Sequence, residues 1–507
     1  MKLSSATAAC ALASATVDAS AIATLKSGVV VGAQKTLPGA DTVVNQFLGI
    51  PYATPPLGAQ RFALASPPTP WSTPRNATAW PNACIQQSNT DVLLAPESED
   101  CLYVNVFAPV ALATNSSGVD GGRTVMVWIH GGGLKSGSAS MTRHDGTSFA
   151  AHQDVVVVTM NYRLGPFGFP ISPAIPTREQ NLGLHDQRMA LQWVQENIVH
   201  FGGDPAKVTI FGESSGSTSV SRLVGTMNDT ASRPFRAAIQ QSGVYETAWA
   251  MDPPGRCPRP GGMAFVSQKP ELYIFSRFSI RALVNDPSVS WTFVPVNDEI
   301  TQLADPDRAR AEGQIAKVPL LIGTNANEGT MSTGAWTSVE AYTAAFPLLA
   351  PYAETLKTTY PLGGLGPNGE VLADGAAFGL GLPVWRYFFN ATFANTALGD
   401  GFGAYHSSEI PIVFGTYPAA NATAEQARLS RVMQTAWADF AKDPYGAGPG
   451  WAAVGSGEAG GGYPVVALDV ETDPSVKGWR MMDNGTLDSA CGMFESLYRN
   501  RVGSPWW

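Results

Sequence analysis

The sequence predicts an α/β fold in which a mostly parallel central sheet carries helices on both of its faces. Five short runs of β-branched and other apolar residues each end in a loop rich in glycine, asparagine or charge: 123–129, 155–160, 208–211, 237–241 and 318–323. Continuous apolar runs of this kind are typical of strands that are buried on both faces. Helical patterns such as Asp186–Asn197 separate them, and a second long helix is predicted over Ala424–Lys442. Strands that alternate with helices favour a parallel sheet.

Bulk composition limits the classes of protein to which this chain can belong. At 507 residues, of which 44% are hydrophobic, the chain can bury a large core, and we expect residues 24–507 to form one domain. The formal net charge is −9 and there is no Lys/Arg-rich run, which argues against nucleic acid as a partner. There is also no stretch of about 18 consecutive apolar residues, so we predict no membrane-spanning helix.

The N-terminus has features of an export signal. Lys2 is followed by a run rich in Ala, Ser and Thr with Ala13-Ser14-Ala15 as a small-residue cleavage site, so we predict a signal peptide over residues 1–23 of a secreted protein. Beyond it remain four cysteines, a number that suits one or two disulfides: Cys84, Cys101, Cys257 and Cys491. Asn-x-Ser/Thr sequons predict a glycoprotein and occur at Asn76, Asn115, Asn228, Asn390, Asn421 and Asn484.

Residues 212–216 read Gly-Glu-Ser-Ser-Gly, which is the only G-x-S-x-G pattern in the chain. An apolar strand enters the pattern and a predicted helix over 217–227 leaves it, as the nucleophile elbow of an α/β-hydrolase fold requires. The flanking glycines keep neighbouring side chains clear of this sharp turn. The sequence therefore predicts the α/β-hydrolase fold, with Ser214 as the nucleophile.

A serine hydroxyl is a weak nucleophile until a neighbouring base takes its proton. In this fold the nucleophile, the acid and the basic histidine follow one another along the chain. Of the six histidines only His406 lies after Ser214, in a glycine-rich loop beyond the apolar run Val384–Phe389. His406 is therefore predicted as the base by elimination.

The acid that orients this histidine lies between residues 214 and 406, where many carboxylates qualify. Glu328 is favoured because it follows the run 318–323 in a loop that would lie at the same edge of the sheet as the elbow. Its role would be to fix the imidazole tautomer and to stabilise the imidazolium. On spacing alone, Asp298 and Glu299 remain alternatives.

The segment His130-Gly131-Gly132-Gly133 follows the first of the buried runs. An attacked ester carbonyl becomes an oxyanion, which preorganised backbone N–H groups stabilise. Three glycines allow this loop to turn its amides inward, so we predict Gly132 and Gly133 as donors, together with the amide of Ser215.

Taken together, these motifs resemble those of the type-B carboxylesterases, the family that includes the cholinesterases and fungal lipases, and they suggest a secreted member of the fungal type. Further matching segments extend the resemblance over roughly residues 28–445: 47–53, 99–106, 161–165, 181–187, 201–205, 241–243, 327–330 and 406–409. The resemblance implies that Glu328 and His406 are the acid and the base. It also implies a disulfide between Cys84 and Cys101 that closes a loop over the active site.

Three departures from the family pattern bear on the substrate. The loop between Cys84 and Cys101 is short beside that of the family's lipases, which argues against a large lid. Leu134 stands where the family commonly has an aromatic residue, and the regions after Tyr245 and before Trp385 are irregular and shortened. The identity of the substrate is therefore not carried over from the family.

These observations predict a serine hydrolase that cleaves carboxylic esters of small molecules or lipids through an acyl-enzyme, with no metal or organic cofactor. Ser242 and Glu409 are expected to support the triad, and Glu213 either tunes its electric field or is a structural hydrogen-bonding residue. The alternative within the enzyme class is a triacylglycerol lipase. The alternative outside it is a binding or adhesion protein on the same fold, against which the intact motif and His406 argue.

Overall fold

The computed structural model describes residues 20–87, 93–110, 122–243, 285, 293–330, 382–399, 401–455, 464–469 and 479–482. Several sequence-based expectations lie outside these ranges. They are the body of the predicted leader and the sequons at Asn115 and Asn484. The segment 252–275, for which the sequence predicts no element, also lies outside, as do Cys257 and Cys491, for which the sequence leaves the pairing open.

The described residues contain the strands β1 (Ser20–Leu25), β2 (Gly28–Lys35), β3 (Val44–Pro51), β4 (Arg75–Asn76), β5 (Ala83–Cys84), β6 (Glu97–Ser98), β7 (Tyr103–Pro109), β8 (Arg123–Ile129), β9 (Val156–Met160), β10 (Gly203–Glu213), β11 (Ala237–Gln241), β12 (Leu320–Asn325), β13 (Val384–Phe389), β14 (Val465–Leu468) and β15 (Arg480–Met482). The main sheet has the order β1-β2-β3-β7-β9-β8-β10-β11-β12-β13-β14-β15, with β4 beside β2, while β5 pairs with β6.

The centre of the main sheet is parallel. Every neighbouring pair from β9 through β8 and β10 to β14 is parallel, whereas the strands at the two ends of the sheet pair in antiparallel fashion. The prediction of a mostly parallel sheet is thus confirmed. In such sheets the carboxyl ends of the parallel strands share one edge, so the loops that follow β8, β10 and β12 come together there.

Helices cover both faces of the sheet, as predicted. Those of the described residues are α1 (Thr147–Gln153), α2 (Gly165–Gly168), α3 (Leu182–Asn197), α4 (Ser215–Thr226), α5 (Pro306–Ala311), α6 (Ile410–Phe414) and α7 (Ala424–Lys442), with 3₁₀ turns at Gly58–Gln60, Thr142–His144, Thr177–Glu179 and Ile198–Phe201. Side chains of β8 alternate between two cores: Val127 packs in the core that includes α3 and α4, and Trp128 packs in the core that includes α1, α6 and α7. None of these helices combines the length and apolar character needed to cross a membrane.

Two element boundaries differ from the sequence-based ones near the predicted nucleophile. The strand that enters the G-x-S-x-G pattern is Gly203–Glu213, which is longer than the apolar run 208–211. The apolar pattern misses its first half because that half is only partly buried and carries polar residues. The following helix begins at Ser215 and not at residue 217, since the sharp turn occupies Ser214 alone. Periodicity cannot detect either point, because it registers only the buried part of an element.

Strand β1 begins inside the residues that were predicted to form the leader. It pairs with β2 along its whole length, and its Ala21 and Ala23 side chains are buried. Cleavage near Ala15 would leave this strand intact, whereas removal of residues 1–23 would take away the first four of its six residues. In the full chain, residues 20–23 on the N-terminal side of the expected boundary thus pair with β2.

Candidate active site

Ser214 lies in a strained turn between β10 and α4. Its backbone has φ 56° and ψ −127°, a region that non-glycine residues rarely adopt and that is found mainly at functional sites. The turn is tight enough that a Cβ atom on Gly216 would lie 2.1 Å from the Ile129 carbonyl oxygen. The Ser214 amide donates to the Gln241 carbonyl at 2.9 Å. This geometry is that of the predicted nucleophile elbow.

The loop after β12 and the loop before α6 lie side by side. The Asn327 amide donates to the Ala404 carbonyl at 3.0 Å, and the Asn327 Oδ1 atom accepts from the Ala404 amide at 3.0 Å. Gly403 has φ 61°, and a Cβ atom there would lie 2.1 Å from Asn327 Oδ1, so the contact requires glycine. These bonds bring Glu328 and His406 together across a sequence separation of 78 residues.

Glu328 binds the imidazole of His406 directly. His406 Nδ1 and Glu328 Oε2 are 2.5 Å apart, and Glu328 Oε1 accepts from the Asn325 amide at 2.7 Å and from the Thr324 hydroxyl at 2.9 Å. Burial favours a raised pKa for Glu328, but the hydrogen bond and charge of His406 outweigh it and lower the pKa below its usual range. An ionised carboxylate in this position fixes the tautomer in which Nδ1 carries the proton.

The two alternatives for the acid lie elsewhere. Asp298 accepts hydrogen bonds from the amides of Ile300, Thr301 and Gln302, so its carboxylate stabilises its own turn. Glu299 is exposed to solvent. The geometry therefore favours Glu328 over both.

Glu213 approaches the other nitrogen of the same imidazole. Its side chain is 2% exposed, and Glu213 Oε1 lies 3.2 Å from His406 Nε2. The same oxygen accepts a hydrogen bond from the Ser407 hydroxyl at 2.5 Å. Burial raises the pKa of Glu213, although the imidazole and the Ser407 hydroxyl oppose this shift.

Glu409 is a third carboxylate in this cluster and is fully buried. Its oxygens accept hydrogen bonds from Gln241 Nε2 at 3.0 Å and from Asn325 Nδ2 at 2.6 Å, and Gln241 in turn accepts from Trp437 Nε1 at 3.0 Å. Burial raises the pKa of Glu409 to about 7, and the charge of Glu213 adds to the effect. Glu409 therefore lies behind the histidine as part of a buried polar network.

The combined field of these carboxylates makes His406 a strong base. Burial alone would lower the pKa of the imidazole, but the charge of Glu213 and the hydrogen bond and charge of Glu328 raise it to about 10. The ring is 30% exposed, so part of it is accessible to solvent. The imidazole therefore holds its proton until high pH, and it can act as a base only after Nε2 is deprotonated.

Ser242 lies at the end of β11, beside the same network. Its backbone has φ 52°, and its amide donates to the Gly323 carbonyl at 2.8 Å. Within the described ranges its hydroxyl makes no hydrogen bond of good geometry, although it helps to lower the pKa of Glu328. Ser242 therefore lies beside Glu328.

The glycine loop after β8 has unusual backbone geometry. Gly132, Gly133 and Leu134 all have positive φ, with values of 104°, 63° and 59°. A Cβ atom on Gly131 would lie 3.0 Å from Ser214 Cβ, so this loop packs directly against the elbow. In the part of the chain that the structure describes, the amides of Gly132, Gly133 and Ser215 donate to no protein acceptor. They are therefore available to an oxyanion.

Two side chains hold the glycine loop in place. The Ser215 hydroxyl accepts a hydrogen bond from the Leu134 amide at 3.1 Å. Gln86 is 1% exposed, and it both accepts from the Gly137 amide at 2.9 Å and donates to the Gly137 carbonyl at 3.2 Å. The loop is thus fixed from the elbow on one side and from the segment around Gln86 on the other.

Cys84 and Cys101 form a disulfide with a Cα–Cα distance of 5.0 Å. Gln86 follows Cys84 by two residues, and its Nε2 atom also donates to the Cys84 carbonyl at 3.1 Å. The disulfide loop is therefore attached to the glycine loop, as its expected position near the active site requires.

The structure thus brings the predicted residues into one cluster and adds others that the sequence did not indicate. Gln86 binds the glycine loop, and Asn325 donates to Glu328. Ser407 donates to Glu213, and Gln241 donates to Glu409. Ser407 and Gln241 lie in the segments 406–409 and 241–243 that match the family pattern, but nothing in the sequence indicated their hydrogen-bond partners, and Gln86 and Asn325 had no such signal. In the described ranges no group of three His, Cys, Asp or Glu side chains is arranged to hold a metal ion.

Comparison with known proteins points to one family. Residues 19–345 match the carboxylesterase family. Para-nitrobenzyl esterase of Bacillus subtilis (strain 168) is 36% identical over 439 residues, which cover 79% of this chain and 86% of that protein. Carboxylesterase 1D of Rattus norvegicus is 32% identical over 502 residues, covering 84% and 86%. Cholinesterase of Mus musculus is 36% identical over 342 residues, which cover 61% of this chain and 54% of that protein.

Proposed function

Because the chain belongs to the carboxylesterase family and is a carboxylic-ester hydrolase, we propose that it cleaves its substrates through an acyl-enzyme intermediate on Ser214. The observation that carries this proposal is the contact of 2.5 Å between Glu328 and His406 at the edge of the sheet where Ser214 occupies its strained turn. Nucleophile, base and orienting acid are the three groups that acyl transfer by a serine requires.

In the first step Ser214 Oγ attacks the ester carbonyl while His406 Nε2 takes its proton. The carbonyl C=O π bond opens, and its electron pair moves to the oxygen, which becomes an oxyanion. The amides of Gly132, Gly133 and Ser215 would donate to that oxygen, a contribution of roughly 3–4 kcal/mol for each donor by analogy with other hydrolases. The alcohol then leaves with the proton from His406, and the acyl group remains on Ser214.

In the second step water replaces the alcohol. His406 takes a proton from the water as its oxygen attacks the acyl carbonyl, and then returns a proton to Ser214 as the acid leaves. The carboxylates of Glu213 and Glu328 stabilise the imidazolium that forms in both steps, since each faces one of its nitrogens. With its pKa raised to about 10, His406 accepts these protons only in the fraction of molecules in which Nε2 is deprotonated.

The test is hydrolysis of p-nitrophenyl esters of increasing acyl length by the wild type and by Ser214→Ala, with pre-steady-state measurement of p-nitrophenol. We expect a burst equal to the enzyme concentration whenever deacylation limits turnover, and loss of both burst and turnover in the variant. Undiminished turnover by Ser214→Ala would refute the assignment. A correctly folded wild type that cleaves none of the esters would favour the binding protein as the alternative.

A simple esterase is favoured over a triacylglycerol lipase by the disulfide loop. Cys84 and Cys101 are only 17 residues apart, and Gln86 anchors this segment to the glycine loop, which leaves little chain for a moving lid. We expect the rate on tributyrin to rise smoothly through its solubility limit. A sharp increase at that limit would indicate interfacial activation and favour the lipase.

Export of the protein is supported by the N-terminal residues and by the sequons. All four sequons in the described ranges have exposed asparagines: Asn76, Asn228, Asn390 and Asn421. Expression of the full chain in a eukaryotic host should yield a secreted protein that loses mass on treatment with an N-glycosidase. N-terminal sequencing of the secreted protein should place its first residue at or before Ser20, so that strand β1 is retained. Retention of the unprocessed chain inside the cell would contradict this proposal.

A further inference from the structure

Ser407 occupies a backbone conformation that disfavours it. Its φ is 74°, in the left-handed region where a side chain is strained and glycine is not. It is the residue directly after His406, and strain that persists in a well-packed structure is concentrated at functional positions. Such a conformation persists only where the surrounding structure holds the residue in place.

The side chain of Ser407 contacts Glu213. The Ser407 hydroxyl donates to Glu213 Oε1 at 2.5 Å, and the same oxygen faces His406 Nε2 at 3.2 Å. Glu213 is 2% exposed, and a buried carboxylate keeps its charge only when hydrogen bonds or opposite charges replace the lost water. The Ser407 hydroxyl is thus one of the groups that allow Glu213 to stay ionised.

We propose that Ser407 is a positioning residue that keeps Glu213 ionised against His406 Nε2, and so sets the pH at which His406 becomes a competent base. The inference rests on the proposed function, because it concerns the same acyl-transfer site. It assigns no contact between Ser407 and the substrate. Its action is exerted through Glu213.

The direction of the effect follows from the charges around Glu213. Loss of the hydroxyl raises the pKa of Glu213 further, because the hydroxyl lowers it at present. A neutral Glu213 no longer raises the pKa of His406, so the histidine loses its proton at a lower pH. The other charged and titratable groups that face this pair stay in place in a Ser407 variant: Arg143, Tyr162, Glu328 and Glu409.

The experiment measures kcat/KM against pH for the wild type, Ser407→Ala and Ser407→Gly, with a p-nitrophenyl ester. We expect the acid limb of both variants to move to lower pH by about half a unit to one unit. Ser407→Ala removes only the hydroxyl, whereas Ser407→Gly also removes the strain, so the Tm of the glycine variant should exceed that of the alanine variant. A shift of the pH profile common to both variants therefore belongs to the hydroxyl.

Two controls separate this effect from a structural one. Ser408 is the neighbouring buried serine, and in the described part of the chain its hydroxyl has no hydrogen-bond partner, so Ser408→Ala should leave the acid limb in place. In a Glu213→Gln background, Ser407→Ala should produce no further shift, because the group on which it acts is already neutral.

An acid limb that stays in place or moves to higher pH in the Ser407 variants would overturn the inference. The inference would also be overturned if adding Ser407→Ala to Glu213→Gln moved the acid limb as far as Ser407→Ala moves it in the wild type. Failure of the proposed function gives a different result, since Ser214→Ala would then retain turnover whatever the Ser407 variants do.

Discussion

Gln86 is the residue whose loss should most clearly connect the disulfide loop to catalysis. Its side chain makes three hydrogen bonds to the backbone, two with Gly137 and one with Cys84, and it is almost fully buried. Gln86→Ala removes all three. At about 0.5–1.5 kcal/mol for each bond, and with the buried Gly137 amide left unpaired, we expect the free energy of unfolding to fall by about 3 kcal/mol.

The effect of Gln86→Ala on turnover follows from where Gly137 lies. Gly137 closes the loop that carries Gly132 and Gly133, and a displacement of reacting or stabilising groups by about 1 Å costs on the order of 10²-fold in rate. We expect kcat to fall by about 10- to 100-fold with little change in KM, because an oxyanion contact acts mainly in the transition state. Affinity for a trifluoromethyl ketone, which binds serine hydrolases as an oxyanion, should fall in parallel.

The chain offers a matched control for Gln86→Ala. Gln180 is equally buried and binds the backbone in the same way: it accepts from the Ser172 amide and donates to the carbonyls of Ser172 and Ile175. Gln180→Ala should lose a similar free energy of unfolding in guanidinium titrations while retaining kcat and trifluoromethyl ketone affinity. If Gln86→Ala behaved as Gln180→Ala does, the disulfide loop would not position the glycine loop.

Three further predictions concern the triad, acid stability and the disulfide. Glu328→Gln should lower kcat by about 10⁴-fold with an unchanged circular dichroism spectrum, and a loss below about tenfold would contradict its orienting role. Burial lowers the pKa of His130 to about 4 and that of His144 well below its usual value, so both are neutral when folded and bind protons on unfolding. These two histidines should therefore lower stability as pH falls from about 6.5 towards 4, by up to about 1.4 kcal/mol per unit for each group, while the raised pKa values of Glu409 and Glu213 act in the opposite direction. Urea titrations in which a His144→Gln variant loses stability with falling pH as steeply as the wild type would refute the contribution of His144. Replacing Cys84 and Cys101 by serine should cost about 3 kcal/mol for a separation of 17 residues, and an unchanged guanidinium midpoint would exclude a stabilising bond.

The sequence predicted the parts of the site that depend on local pattern. Ser214 lies in a motif whose spacing is set by one turn, and His406 was identified because no other histidine follows the serine. Glu328 was ambiguous on spacing, since a loop position along the chain does not determine which loops meet. The contact with His406 became visible only when the loops after β12 and before α6 were placed together.

The hydrogen-bond partners of the supporting carboxylates could not be predicted in the same way, although Glu213 and Glu409 themselves were singled out in the sequence. The contact between Ser407 and Glu213 joins residues 194 apart, and that between Gln241 and Glu409 joins residues 168 apart. Each depends on the register of the sheet, which no periodic pattern in one strand specifies. Gln86 shows the same limit, because a single buried glutamine in a loop has no characteristic sequence context.

The expected boundary at residue 24 illustrates a different limit. Ser20–Leu25 continues the small and apolar composition of the preceding residues, so composition alone does not separate a leader from an edge strand. Pairing with Gly28–Lys35 makes the distinction, and pairing is a property of two segments and not of one.

The order of the strands has a consequence for synthesis of the chain. Ser214 follows β10, Glu328 follows β12 and His406 lies beyond β13, so the three meet only after these neighbouring strands have aligned in one sheet. A nascent chain that ends before residue 406 lacks the base altogether, however much of its sheet has formed. Turnover is therefore a late reporter of folding on the ribosome.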